Sequence, residues 1–163
     1  MIINDISAGE LDPLIVDVVA EHDVPYVAMH MKGDPRTMQS MTDYRDIVAE
    51  VVDYFRERTA QLRERGVRRI VVDPGFGFAK TLEQNYELLR GLHSLAELGY
   101  PVLAGVSRKS MIYKLLGTTP AEALNGTTAL HWECLRQGAV ILRAHDTREA
   151  VEVVRMFDQF MQA

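Results

Sequence analysis

Short runs of β-branched and apolar residues alternate along the chain with longer stretches in which apolar positions recur every three to four residues, and this alternation repeats five times. The short runs predict strands over Ile2–Ile6, Val24–His30, Arg69–Asp73, Val102–Val106 and Val140–Arg143. The longer stretches predict helices over Asp12–Glu21, Thr42–Arg65, Leu82–Leu98, Met111–Leu115 with Ala121–Gln137, and Arg148–Met161. In the second helix Ile47, Val48, Val51, Val52, Phe55 and Leu62 fall on one face, with Arg56, Glu57 and Arg63 turned elsewhere. Thr81 with Gln84 and Thr119 with Glu122 have capping-box spacing, and Pro120 suits a first helical position. Gly66, Gly99 and Gly138 stand where helices end in a left-handed residue. No linker or low-complexity tract interrupts the series, so residues 1–163 read as one domain.

Strands that alternate with helices pair in parallel, because each crossover returns the chain to the same end of the sheet. The fold class is therefore α/β, either an open doubly wound sheet or a TIM (β/α)8 barrel. The 163 residues give about 33 for each of the five units, whereas eight such units need about 260. The first predicted strand starts at the chain's beginning. The expectation is a partial barrel, five of eight units and the last five of them, with two unpaired sheet edges and an opened core.

Composition narrows the function. Lys and Arg number 18 against 23 Asp and Glu, a net charge of −5, which speaks against a general nucleic-acid partner. No apolar run approaches the roughly 20 residues of a spanning helix, so no membrane partner is expected. The single cysteine, Cys134, has no partner for a disulfide or a CxxC motif, and a cytoplasmic location follows as the expectation.

In parallel α/β folds the functional site collects at the carboxyl ends of the strands. Each run ends on polar or otherwise notable residues: Asn4 and Asp5, Met29 and His30, Asp73, Ser107–Lys109, and Arg143–Asp146. Helix capping accounts for any one of them alone; five at one level point to a ligand. Asp73-Pro74-Gly75-Phe76-Gly77-Phe78 sets a carboxylate before two glycines and two aromatics, which suits a flat heterocycle with an amidine-like edge. A glycine turn with core phenylalanines fits the same spacing. Ser107-Arg108-Lys109-Ser110 leads into a helix and offers cations and hydroxyls to an anion. Arg143 and His145 share a strand face and can meet one phosphate group, although surface ion pairs explain them equally. An organic body at one end and an anionic leaving group at the other is the combined reading. Neither GxGxxG after a strand nor GxxxxGK[ST] occurs. His22, His93 and His131 lack metal-ligand spacing and are read as structural, Trp132 and Cys134 as packing residues. Met31, Met38 and Met41 read as gap fillers, and Met29 alone as a ring contact.

These segments, namely Ile3-Asn4-Asp5-Ile6-Ser7, Met29-His30-Met31-Lys32-Gly33 with Pro35, Asp73 to Phe78 with Lys80, Ser107 to Ser110, and Arg143 to Asp146, resemble in order the signatures of dihydropteroate synthase. The resemblance covers essentially the whole chain. It implies a (β/α)8 barrel, usually a homodimer, that condenses 6-hydroxymethyl-7,8-dihydropterin diphosphate with para-aminobenzoate, with Mg2+ assisting the diphosphate. Asn4 and Asp73 would hold the pterin's amino-pyrimidine edge, Lys109 its carbonyl side and Met29 its ring. Arg143 and His145 would hold the diphosphate, and Phe78, Ser107 and Lys109 would lie where para-aminobenzoate enters. Lys109, Arg143 and His145 are thus the expected catalytic groups. The family's metal-binding asparagine, its two mobile loops and a further pterin-binding aspartate lie in units without a counterpart here, so no metal ligand is expected. Ala144 stands where the family commonly has valine. The chain is accordingly expected to be a fragment, a truncated product or a subunit completed by another chain.

A methyltetrahydrofolate methyltransferase shares the fold and the carboxylate-on-pterin logic but gives no reason for an anion clamp. A non-catalytic pterin-binding half-barrel is the alternative outside enzymology.

Overall fold

The structure, a computed structural model, describes residues 1–33 and 41–163; Pro35 and Met38 lie outside the described residues. Five strands occur among these: β1 (Ile3–Asp5), β2 (Tyr26–Met29), β3 (Ile70–Asp73), β4 (Leu103–Ala104) and β5 (Ile141–Leu142). Seven helices accompany them: α1 (Leu14–His22), α2 (Ile47–Glu64), α3 (Leu82–Arg90), α4 (His93–Ala96), α5 (Ser110–Leu116), α6 (Leu124–Arg136) and α7 (Thr147–Gln162). Strands β1, β2 and β3 form one parallel sheet and β4 and β5 a second, and a parallel bridge between Val72 and Val102 joins the two. All pairing is parallel and runs in chain order, as strands separated by helical crossovers require.

The strands alternate between two faces. Tyr26, Ala28, Ile70, Val72, Val102 and Ala104 belong to the main core, which they share with Val16, Ile47, Val51, Phe55, Leu88 and Ile112 of the helices, and the partly buried Ile3 and Leu142 pack against it. Val27, Met29 and Leu103 are buried but stand outside that core, on the opposite face. Register carries Asn4 to that same face, since Asn4 pairs with Val27, Val27 with Val71, and Met29 with Asp73. In a flat sheet the first and fifth of five strands would lie about 19 Å apart. Yet Arg143, just beyond β5, bonds Asn4 of β1 at 3.0 Å. The strands therefore curl, and the Asn4–Met29–Asp73 face is the concave one.

The strands are shorter than predicted. Residues such as Val106 are buried and apolar but have no ladder partner, and a ladder requires a neighbour as well as a suitable composition. The predicted Leu82–Leu98 helix is two helices. It breaks at Gly91, where an added Cβ would lie 2.6 Å from Val48 Cγ2, so the backbone of the break packs directly on α2. Thr81 and Gln84 form the predicted capping box on α3. Thr119 and Glu122 pair over a single 3-10 turn, Pro120–Glu122, ahead of α6. His131 and Cys134 are buried, and Trp132 stacks edge-on against Phe157 and Phe160 at 5.3 and 5.6 Å, so the packing roles read for them hold.

Candidate active site

Asp73 ends β3 on the concave face and is fully buried. Its Oδ1 accepts from Gly75 N at 2.8 Å, a turn closed by the carboxylate itself. Gly75 has φ +68°, and a Cβ there would collide with His30 O, so only glycine lets the backbone pass β2 this closely. Oδ2 faces the concavity. Arg143 Nη2 lies 2.9 Å from it, an ion-pair distance, but off the line of a hydrogen bond, and Oδ2 has no aligned donor. The other arm of Arg143 donates to Asn4 Oδ1 at 3.0 Å. Asp73 and Arg143, read from the sequence as the groups for the two ends of a ligand, thus lie at the same end of the sheet and in contact, because the curl of the sheet brings the ends of β3 and β5 together.

Asn4 is placed by a knot on the neighbouring residue. Asp5 points to the helix side and accepts from Tyr26 OH, Ser7 N, Ser7 Oγ and Gly9 N at 2.7–2.8 Å. Burial raises its pKa, but those hydrogen bonds together hold it below the ordinary carboxylate value. Asp5 is thus a fixed strut of the β1–α1 turn, and Asn4 is left facing the site.

The Asp73–Phe78 segment divides between the two readings given for it. Phe76 is fully buried in the main core, as the glycine-turn reading has it, whereas Phe78 is partly exposed with Lys109 Nζ 4.8 Å above its ring. Lys109 Nζ also donates to Phe76 O. Burial pulls the Lys109 ammonium down to about 8, with Asp73 raising it and Arg143 lowering it further.

Ser107 to Ser110 is not the free anion cup its composition implied. Arg108 grips Asp146 with two bonds of 2.8 Å and donates to the carbonyls of Pro120 and Ala121, closing the turn before α6. Ser107 Oγ accepts from His145 N at 3.1 Å and lies 2.9 Å from His145 Nδ1. The two contacts hold the His145 ring by its Nδ1 edge and leave its Nε2 edge for a ligand. Arg143 and His145 remain as the groups beyond β5 that an anion can meet. Met29 is fully buried on the concave face in register with Asp73.

Asn85 was not singled out in the sequence, and His30 and Lys80 were named only as a strand-end residue and as part of a resembling segment; all three prove to hold the Asp73 loop. Lys80 Nζ, buried, lies 3.0 Å from Gly75 O, 2.9 Å from Phe78 O and 3.1 Å from His30 Nδ1. His30, at the end of β2, thus turns away from the mouth. Asn85 of α3 accepts from Gly77 N at 2.7 Å and donates to Thr81 O at 2.6 Å. The legible signal for Asn85 was an amide within the apolar stripe of Leu82, Leu88 and Leu89. A cleft of about 390 Å³ lined by Gly77, Lys80, Asn85, Ser110 and Tyr113 adjoins this loop. A larger one, about 560 Å³, between α3 and Leu115 is lined mainly by Leu82, Tyr86 and three charged surface side chains and lies away from these groups.

The pterin binding enzyme family profile matches residues 1–145. A dihydropteroate synthase of Synechocystis is 42% identical over 159 residues, 96% of this chain and 55% of the relative. That of Escherichia coli is 42% identical over 164 residues, 99% of this chain and 58% of the relative. The chain thus spans little more than half the length of these relatives. Dihydropteroate synthase from Thermus thermophilus, solved in complex with 6HMPPP and with 4-aminobenzoate, superposes with a TM-score of 0.91 at 40% identity, over 96% of this chain and 62% and 61% of those chains.

Proposed function

This chain belongs to the pterin binding enzyme family, and on that basis we propose that it serves as a dihydropteroate synthase of folate biosynthesis. The observation that carries the reading is Asp73 Oδ2, a fully buried acceptor without an aligned donor, facing Asn4 and flanked by the cations Arg143 and Lys109. A flat ligand with adjacent N–H donors and an anionic tail answers all of these groups, and the Thermus thermophilus enzyme in complex with 6HMPPP supports that choice.

In this reading the substrates are 6-hydroxymethyl-7,8-dihydropterin diphosphate and para-aminobenzoate. Asp73 and Asn4 take the pterin's amino-pyrimidine edge, Lys109 its carbonyl, and Met29 packs against the ring. Arg143 and His145 take the diphosphate. Para-aminobenzoate enters over Phe78 and Lys109, and Ser107 acts there through the His145 ring it orients. The C–O bond between the pterin methylene and the diphosphate breaks, pyrophosphate leaves with the electron pair, and the arylamine nitrogen forms the new C–N bond and then loses a proton. The cations stabilise the departing charge, and the acceptor pair orients the reacting carbon. No covalent nucleophile is needed, because the arylamine is neutral near pH 7.

The five β/α units form, in this proposal, one pterin-binding domain within an eight-unit TIM barrel, for which the superposition with the Thermus enzyme is the support. In this proposal Mg2+ would assist the diphosphate by neutralising its charge, as an oxygen-seeking cation does at phosphates. The proposal extends to a homodimer in the cytoplasm. Exposed Met156, Phe160 and Met161 of α7 offer an apolar face to a second copy, and the free buried thiol of Cys134 suits a reducing compartment.

Incubation with both substrates tests the activity. Stoichiometric appearance of pyrophosphate and 7,8-dihydropteroate is the expected result; saturable pterin binding with no product would make the protein a binder. The titration of Lys109 gives a second expectation. Its ammonium is lost as pH rises through about 8, so affinity for the pterin diphosphate should fall between about pH 7 and 9. Calorimetry across that range is expected to show the decline in the wild type, with Lys109→Arg flat because a guanidinium keeps its charge. Equal curves would remove Lys109 from the site.

A further inference from the structure

Resting on the pterin reading, we propose that Arg143 is a built-in stand-in for the ligand: its guanidinium occupies the Asn4–Asp73 acceptor pair until a diphosphate draws it off, so the anionic end of the substrate opens the site for the organic end. A guanidinium and the edge of a 2-aminopyrimidinone present the same planar N–C–N frame with outward N–H bonds. Arg143 meets the same two acceptors that the reading gives to that edge, Asn4 Oδ1 at 3.0 Å and Asp73 Oδ2 at 2.9 Å. Both cannot be there at once.

The stand-in fits poorly at one end and is free at the other. At Asp73 the approach lacks hydrogen-bond alignment, so Oδ2 is neutralised by charge but not satisfied as an acceptor. A rigid edge with two coplanar donors can align where the tethered guanidinium does not. The Arg143 side chain is 40% exposed while Asp73 is fully buried, so the arginine has solvent on one side and can withdraw outward. The groove it lies in is provided by Gly105, where an added Cβ would stand 2.5 Å from Nη2 and 3.1 Å from Cζ. Lys109, hydrogen-bonded to Phe76 O at the same mouth, keeps a cation near Asp73 after Arg143 has left.

Two consequences differ from those of an arginine that only grips phosphate. A bare pterin must displace the guanidinium with nothing to receive it, whereas pyrophosphate supplies the receiver, so each ligand favours the other. Removing the side chain should free the acceptor pair.

Calorimetry with 6-hydroxymethylpterin, with and without inorganic pyrophosphate, tests this on the wild type and Arg143→Ala. Pyrophosphate is expected to tighten pterin binding about tenfold in the wild type, and the variant is expected to bind the bare pterin at least as tightly as the wild type with no gain from pyrophosphate. In the variant, added guanidinium ion should compete with the pterin. Weaker bare-pterin binding by the variant, or pyrophosphate without effect on the wild type, overturns the proposal while leaving the pterin reading intact. A wild type that binds no pterin under either condition overturns both. If Arg143→Ala does not fold, Arg143→Met, which keeps most of the stem's packing, is measured in its place. The Arg143 side-chain nitrogen resonances of the wild type should also shift on adding the bare pterin, and unmoved resonances count against displacement.

Discussion

Asp73→Asn is expected to lower affinity for a bare pterin by at least about a hundredfold. The direction follows from how the carboxylate is already used. Oδ1 accepts from Gly75 N, so an amide placed here keeps its oxygen on that N–H and turns its NH2 into the concavity, where Oδ2 now stands. There it opposes the ligand's own N–H donors, and a buried charge-assisted acceptor becomes a donor facing a donor. The substitution also removes the partner of Arg143, which loosens the stand-in but cannot restore the missing acceptor. Affinity held within about tenfold of the wild type, by calorimetry on protein whose thermal unfolding is unchanged, would remove Asp73 from pterin recognition.

Alternation with period two made much of this arrangement legible in the sequence. Arg143 and His145 are two apart and both lie beyond β5, and the same count from Val27 to Met29 and from Val71 to Asp73 sets Met29 beside Asp73. What the sequence hid was commitment. Arg108 and Lys109 are adjacent and look equivalent, yet Arg108 is bound to Asp146, 38 positions away, and only Lys109 reaches the mouth. A bond between distant loops leaves no local trace. The contact of Arg143 with Asp73 and Asn4 was hidden for the same reason, since it depends on how far the strands curl.

The fold shows a similar limit. The five strands and the helices between them were legible because each strand is a compact apolar run bounded by turn residues. The break at Gly91 was not, because Leu88, Leu89, Leu92 and Leu95 continue the stripe across it and all are buried. Gly91 itself lies against Val48 of another helix, a contact that leaves no room for a Cβ and that no local pattern announces.

Lys80→Met is expected to destabilise the protein by about 2 kcal/mol at pH 7, lowering Tm by roughly 4–8 °C, and to weaken pterin binding although Lys80 faces away from the concavity. Methionine replaces most of the volume, so packing changes little. It supplies no donor to Gly75 O, Phe78 O or His30 Nδ1, all within 3.1 Å of the ammonium. Those carbonyls belong to the turn that carries Asp73 and Phe78, and Ala79 within it has φ +51°, a conformation a non-glycine residue keeps only when its surroundings enforce it. Burial drives Lys80 down to about 7 against the pull of Asp73, and Lys109 and Lys32 lower it further. Between about pH 7 and the ordinary lysine value the unfolded chain therefore holds a proton that the folded protein has released, so wild-type stability should rise with pH across that window. The methionine variant loses that contribution, and its unfolding curves should respond less to pH. Equal Tm and equal pH slopes would mean that Asn85 on Gly77 and Asp73 on Gly75 suffice to hold the loop, and that the buried lysine has no part in shaping the site.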